Sequence, residues 1–420
     1  MTLADQRSAA VAGFCRLVGH SPAGVWAAPG RVTLVGDHTD YNDGYALPFA
    51  IDRHVVVAGG RRDDGVLRMW STRAGGPVTI PLAALRPGAL TGWSAYVAGV
   101  VWALRELGVP VAGADLVVSG DLPIGAGLGS SAAVECATAL AGAELSGVDL
   151  PARQRARLAQ RAENDFVGVP CGAMDQVAST MSRAGSALLF DARALDARAL
   201  DPRSLQPEYD ARALDARSLQ PEYVPLDLDA AGLALLVVDT GGRRELVEGQ
   251  YADRRRECES AAAALGVTSL SDLPADQLDQ AVSGLPPAVG GRVRHVVTEN
   301  ARVLAVAQRL RAGQIGEVGP LLTASHVSLR DDFEASTPEL DTTVAAALDA
   351  GALGARLTGA GFGGAVIALV TAAALGPVLS SVTAAFASRG FPAPTGFIVV
   401  PSDGACRLEL AQDQEDRVAD

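Results

Sequence analysis

The stretch Asp121 to Glu135 reads DLPIGAGLGSSAAVE. Glycines alternate at 125, 127 and 129, serines follow at 130 and 131, and an alanine-rich run continues to Leu145. Glycine adopts backbone angles closed to other residues and lets main-chain amides approach a bound group closely. A helix beginning behind such a loop adds unpaired N–H groups and roughly half a positive charge. The pattern predicts an anion cradle, a phosphate site made by Gly125, Ala126, Gly127, Leu128, Gly129, Ser130 and Ser131. A tight turn with Ser130 or Ser131 capping an ordinary helix uses the same residue types. A dinucleotide fingerprint is the weaker reading. It needs an acidic residue about 20 positions on, at a strand end, whereas Glu144 and Asp149 fall at a helix end and Pro151 opens another helix.

The chain contains no lysine; its 35 basic residues are all arginine. A P-loop needs a lysine on the phosphates, eukaryotic-type protein kinases need one on a strand, and Schiff-base catalysis needs its amine. Phosphate chemistry here would rest on backbone amides, arginine and a metal ion.

Two polar clusters could complete such a site. Residues Val25 to Asp43 read VWAAPGRVTLVGDHTDYND, a strand and then Asp37, His38, Asp40, Tyr41, Asn42 and Asp43, with Arg31 just upstream. Crowded carboxylates and an imidazole suit a pocket for several hydroxyls of a polyol, because each carboxylate accepts more than one hydrogen bond. A polar turn around Asn42-Asp43-Gly44 is the plainer reading. A metal site on Asp37, His38 and Asp40 lacks a second histidine or a cysteine nearby. The second cluster, ENDFVGVPCGAMDQ, places Glu163, Asp165 and Asp175 around a Gly/Pro bend. The bend can return Glu163 and Asp175 toward each other and toward the glycine loop. One carboxylate could then hold a divalent cation and the other take a proton. Alternatively, Asp175 orients a helix start and Glu163 is solvated.

The elements that must position these groups alternate between sheet and helix patterns. Helical spacing marks the N-terminus, Trp93 to Leu107, Ala132 to Leu145, Pro151 to Glu163, Tyr251 to Ala264, Gly291 to Leu310 and Leu321 to Leu329. Strand patterns cover Leu47 to Met69, Leu116 to Ser119, Leu188 to Phe190 and Leu233 to Thr240. Arg254-Arg255-Arg256 reads as a solvated face. In RLTGAGFGGAVIALV (Arg356 to Val370) a second glycine loop precedes a strand, either as a strand-to-strand turn or as a second backbone surface over the nucleotide. Residues 191–209 and 210–223 are near-duplicates (DARALDARALDPRSLQPEY and DARALDARSLQPEY), too short and polar to stack as a solenoid, and read as an exposed insertion.

With 420 residues, 49% hydrophobic and 20% charged, the chain suits a two-domain globular protein. A net charge of -13 argues against a nucleic-acid surface. Five scattered cysteines show neither zinc spacing nor a disulfide framework, which fits a reducing cytoplasm. The N-terminus lacks a signal peptide's long apolar core. The longest apolar stretch, Gly364 to Phe386, is broken by Gly376-Pro377 and Ser380-Ser381 and reads as a strand and helix, not a membrane span.

Four blocks together resemble the galactokinases of the GHMP kinase family: GRVTLVGDHTDYN (Gly30 to Asn42), LPIGAGLGSSAAVE (Leu122 to Glu135), ENDFVGVPCGAMDQ (Glu163 to Gln176) and LTGAGFGG (Leu357 to Gly364). RHVVTENARV (Arg294 to Val303) and ASHVSLRDDFEASTPELD (Ala324 to Asp341) are similar to the family as well. The resemblance implies a two-lobed α+β GHMP kinase fold, a ribosomal-protein-S5-like N-terminal domain (1–190) and a ferredoxin-like C-terminal domain (224–420), with 191–223 an insertion and the site between the lobes. It implies ATP-dependent phosphorylation of D-galactose at its anomeric hydroxyl. Asp37, His38, Thr39, Asp40 and Tyr251 would hold the sugar. Gly125 to Ser131 would wrap the ATP phosphates, and Ser71, within Trp70-Ser71-Thr72, would border the adenine. Ser131 and Glu163 would bind Mg2+, Asp175 would be the base and Arg31 would stabilise charge on the transferring phosphoryl. A cytoplasmic monomer with only small-molecule partners is expected. The chain departs from the family's pattern at Asp37 (usually glutamate), at Gly129 (usually serine) and in GGRREL, which lacks the usual histidine. The shorter Asp37 side chain bears on sugar choice. The alternatives are a kinase for a related sugar, such as N-acetylgalactosamine or arabinose, and a catalytically silent sugar and ATP sensor.

Overall fold

The structure, a computed structural model, describes residues 2–194, 221–242 and 247–409. Its larger sheet runs, edge to edge, Cys406–Leu408, Gly24–Thr33, Pro48–Arg61, Ala114–Gly120, Val66–Ser71 and Val78–Pro81, with Pro401–Ser402 added alongside Pro48–Arg61. Side chains alternate across it as a strand's period of two requires. Val25, Ala27, Val56, Ala58 and Val117 meet the helix Leu3–Val18. Trp26, Ala28, Val55, Val57, Leu116 and Val118 face the main core on the other side. The helices Trp93–Glu106 and Ser130–Leu145 contribute Val97, Ala98, Val101, Ala133, Cys136 and Ala137 to that core.

The second sheet is antiparallel throughout, in the order Gly354–Thr358, Ala365–Thr371, Leu233–Asp239, Thr395–Val399. Counted along the chain this is second, third, first, fourth, with helices in both long connections, which is the ferredoxin-like topology. Leu235, Val237, Ile367 and Leu369 face the core shared with the first lobe. Leu236, Val238, Val366 and Ala368 face the helices Pro338–Asp349 and Leu375–Arg389. The two lobes therefore share one continuous apolar core. A small third sheet joins Tyr45–Ala46, Ser186–Asp191 and Glu222–Pro225.

The apolar stretch Gly364 to Phe386 folds as the strand Ala365–Thr371 and the helix Leu375–Arg389, and no described helix is long and apolar enough to cross a membrane. Sequence order and lobe membership part company near the C-terminus, where Pro401–Ser402 and Cys406–Leu408 return to the first sheet. Most of the near-duplication, 195–220, lies outside the described residues. Its end does not read as exposed insertion: Glu222 and Tyr223 pair with Leu189 and Leu188, and the Tyr223 hydroxyl donates to Met181 O at 2.7 Å. Arg254 and Arg255 are not simply solvated either. Arg254 Nε donates to Phe333 O at 3.0 Å, and Arg255 Nη1 donates to Pro170 O at 3.0 Å.

Candidate active site

A cleft of about 530 Å³ lies between the lobes. Arg31 enters it because the register of its strand slips between Pro29 and Arg31. Such a bulge re-aims a side chain that regular pairing would send elsewhere. Asp175 sits in the first turn of the helix Met174–Met181. The two form a bidentate pair, Nε to Oδ1 at 2.8 Å and Nη2 to Oδ2 at 2.6 Å, the strongest geometry open to an arginine and a carboxylate. Arg31 Nη1 also donates to Gly127 O, and its main-chain N–H donates to Leu128 O at 2.9 Å. One guanidinium thus links the acid to the glycine loop.

The loop takes left-handed backbone angles at Gly125, Gly127 and Gly129, with φ of 80°, 79° and 71°. A residue with a Cβ would be strained at each. Gly129 is also the cap of the helix Ser130–Leu145, so that helix's free N–H groups open beside the loop. Gly125, Ser130 and Ser131 line the cleft. Ala126 and Leu128 point their side chains into the core and anchor the loop from below. Across the cleft the second glycine loop connects two antiparallel strands and also approaches the first loop; a Cβ on Gly359 would meet Gly127 O at 2.6 Å.

Glu163 is carried on a wide π-turn, Ala162–Val167, closed by Gly168 at φ 91°. Such turns recur at functional sites. Its carboxyl is bonded to the Ser131 hydroxyl and accepts from Gln176 Nε2 at 2.6 Å. Burial, then the nearby Asp175, raises its pKa to about 7. Gln176 Nε2 also donates to Glu135 Oε2 at 3.1 Å. Glu135 is fully buried, and that burial pushes its carboxyl well above the usual range. Ser131, Glu163 and Asp175 all line the cleft and present only oxygen, the donor type that suits a hard cation such as Mg2+. Among the described residues no cluster of three His, Cys, Asp or Glu could hold a metal alone. A cation here would be completed by phosphate and water, as Mg2+ commonly is.

On the opposite side, Asp40 opens a short turn (Asp40–Asn42) and accepts from Tyr41 N at 3.0 Å and Met174 N at 3.4 Å. Burial and then Asp175 raise its pKa to about 6. Asp37 is nearly inaccessible, its Oδ2 bound to Arg356 Nη2 at 2.6 Å and its Oδ1 accepting from Gly359 N at 3.2 Å. Burial lifts its pKa to about 6 against the pull of Arg356 and Arg31. His38 has φ 66°. Its Nε2 is 3.0 Å from Ala360 O, which can only accept, so Nε2 carries the hydrogen and Nδ1 accepts from the Tyr41 hydroxyl at 2.9 Å. Burial holds its pKa down at about 3. The neutral ring lines the cleft, ties the loop to Ala360 and packs on Phe333, 4.4 Å between centroids. Thr39 is fully buried, donates to Gly36 O at 2.8 Å and Tyr45 O at 2.7 Å, and does not line the cleft. Tyr251, on the helix Val247–Leu265, does line it, and its hydroxyl accepts from the Gly172 amide.

Ser71 borders the far, apolar end of the cleft with Val55, Trp93, Tyr96, Val118 and Leu122. Trp70 turns away, toward Gly13 and beneath Arg16. In the sequence, Trp93 and Tyr96 carry only the helical spacing of Trp93 to Leu107. Their place on the first turn of Trp93–Glu106, after a glycine at φ 64°, is what exposes them to the cleft.

Residues 95–183 match the GHMP kinases N terminal domain, residues 306–388 the GHMP kinases C terminal, and residues 12–61 the galactokinase galactose-binding signature. The chain is 47% identical to a galactokinase of Streptomyces coelicolor over 398 residues, 94% of this chain and 97% of that one. It is 42% identical to a galactokinase of Mycobacterium tuberculosis over 384 residues, 91% of this chain and 99% of that one. Among solved structures it superposes on Lactococcus lactis galactokinase complexed with galactose, with TM-score 0.85, 29% identity, and coverage of 96% and 99%. A mevalonate kinase at 18% identity and TM-score 0.61 shares the fold.

Proposed function

Since the chain belongs to the GHMP kinases and, among them, to the galactokinases, we propose that its cleft transfers the γ-phosphoryl of ATP to the anomeric hydroxyl of D-galactose, giving α-D-galactose 1-phosphate. The observation that carries this is the Arg31–Asp175 pair, which joins a proton acceptor to the carbonyl side of the glycine loop in one contiguous cleft.

Asp175 would take the proton of the anomeric hydroxyl as that oxygen attacks the γ-phosphorus and the bond to the β-phosphate oxygen breaks. Phosphoryl transfer mainly needs in-line positioning and positive charge where charge spreads. Arg31 and the amides of residues 125–131 would supply that charge. Ser131 and Glu163 would hold Mg2+, which, bound with ATP, neutralises phosphate charge. Asp40 and Tyr251 would accept and donate hydrogen bonds to the sugar, and Asp37 and His38 would shape its floor. Val55, Ser71, Trp93 and Tyr96 would sandwich the adenine. We place the enzyme in the cytoplasm as a monomer.

The direct test is ATP consumption over a panel of hexoses and pentoses, with and without Mg2+. D-Galactose should be the best substrate, and turnover should stop without the cation. Consumption with another sugar but not with galactose would transfer the reading to that sugar. Tight galactose binding with no consumption would make the protein a sensor.

The acid side of the profile follows from Glu163 at about 7 and Asp40 at about 6. Below its pKa a carboxyl is protonated, so it no longer holds a cation or accepts freely from hydroxyls. kcat/KM for galactose should therefore fall as pH drops from 7 to 5.5, and excess Mg2+ should shift that limb to lower pH. A profile flat down to pH 5 would contradict the roles given to both residues.

A further inference from the structure

Two blocks, Arg294 to Val303 and Ala324 to Asp341, contribute no residue to the cleft. They nevertheless bury His295, Glu299 and Ser325 completely and Ser328 almost so. The reason lies in what the long helix Pro287–Arg311 presents to the segment carrying Asp37 and Asp40. Glu299 Oε1 accepts from the Gly36 main-chain N–H at 2.9 Å and from the Ser325 hydroxyl. Its Oε2 accepts from Arg302 Nε at 2.6 Å. His295 Nε2 is 3.1 Å from Asp37 O, so that nitrogen carries the hydrogen and donates, while Nδ1 lies 3.0 Å from Ser328 Oγ. One residue beyond Glu299 on the helix, Asn300 Oδ1 accepts from Tyr45 N at 2.8 Å. The helix thus grips main chain on both sides of the 37–40 turn. Gly36 has φ 97°, and a Cβ there would strike Val303, so the turn is seated tightly as well as bonded.

We propose that His295 and Glu299 are positioning residues for the sugar, fixing the main chain of Gly36 and Asp37 so that the 37–40 turn presents Asp40 to its hydroxyls. The inference rests on the galactokinase reading of the cleft. Neither residue touches the nucleotide end. Their loss should therefore be felt by the sugar and not by ATP. Burial keeps His295 neutral, with its pKa down at about 4. Burial would raise Glu299, but Arg302 and Arg356, with the Ser325 hydroxyl, outweigh it and hold the carboxylate ionised. Buried main-chain groups left without such partners cost more than a surface bond would.

The test compares wild type, His295→Leu, His295→Gln and Ser328→Ala by steady-state kinetics, with galactose affinity also measured by titration in the absence of nucleotide. Turnover of galactose by the wild type separates the two claims. If the wild type neither turns over nor binds galactose, the functional reading is wrong and this proposal falls with it. His295→Leu should raise the galactose KM and dissociation constant about tenfold, the equivalent of about 1.4 kcal/mol, and leave the ATP KM within about twofold. His295→Gln carries an amide N–H to nearly the same place and should recover most of the loss. Ser328→Ala, a milder change that keeps the fold if His295→Leu does not, should raise the galactose KM about threefold in the same direction. Equal rises in both KM values, or no recovery with glutamine, would leave His295 a merely structural residue and overturn the proposal.

Discussion

Asp175→Asn is expected to bind ATP much as the wild type does and to lose turnover by about 10²–10⁴-fold, the usual worth of a positioned general base. Asparagine keeps the shape and one acceptor for Arg31, which also stays anchored by Gly127 O and Leu128 O. The glycine loop therefore has no cause to move. What is removed is the negative charge that pairs with Arg31 at 2.6 Å and could accept a proton. Nucleotide titration alongside steady-state turnover checks both halves. A variant turning over within about tenfold of wild type would remove Asp175 from the role of base. Lost turnover together with lost ATP binding would mean that the Arg31–Asp175 pair chiefly holds the loop.

Gly172→Ala should be nearly as damaging, but to the sugar rather than to the chemical step. A Cβ on Gly172 would overlap the Asp40 carboxylate, and the Gly172 amide also bonds the Tyr251 hydroxyl. Both groups assigned to the sugar would be displaced at once. A misplacement of about 1 Å can cost about 10²-fold, so kcat/KM for galactose should fall by about that factor, carried mainly by KM. The ATP KM should hardly change, because the loop at 125–131 is on the other side of Arg31. A double mutant isolates the cause. In an Asp40→Ala background the obstructed carboxylate is gone, and adding Gly172→Ala should cost at most a few fold, a strong departure from additivity. Additive losses would show that the alanine acts through something other than Asp40.

The groups proposed for chemistry were largely legible in the sequence because their signals are local. A run of alternating glycines before a helix states its backbone geometry directly, and Asp175 and Glu163 are brought near each other by a bend written between them. The π-turn carrying Glu163 was not legible; only the closing Gly168 hinted at it. Side-chain direction was legible far less. His38 and Thr39 stand within the polar cluster, yet His38, though it lines the cleft, ties to Ala360, more than 300 positions away, and Thr39 donates to the carbonyls of Gly36 and Tyr45. No local pattern distinguishes a histidine aimed at a sugar from one aimed at a distant carbonyl. The directions of Trp70 and Trp93 are not legible for the same reason. Each lies in a regular element, and the packing of the helix Leu3–Val18 decides which face of Trp70's strand is covered.

Long-range pairing escaped as well. The return of Pro401–Ser402 and Cys406–Leu408 to the first sheet is set by Ile51, Ala50 and Trp26 across the ladder, and nothing near those short strands announces it. Glu135 and Gln176 end the blocks Leu122 to Glu135 and Glu163 to Gln176, but their burial beside Glu163 follows from two helices meeting. The arginine run at 254–256 divides. Charge alone suggests solvent, and Arg256 is exposed, whereas Arg254 lies over Phe362 and closes against Phe333 O.

The measurement that bears most directly on the whole account is a crystal structure of the protein with galactose and a non-hydrolysable ATP analogue. The account predicts the triphosphate against the main-chain amides of residues 125–131, with the γ-phosphate beside Arg31 and the anomeric oxygen within hydrogen-bond reach of Asp175. A triphosphate bound elsewhere, or a sugar whose anomeric oxygen points away from Asp175, would contradict it.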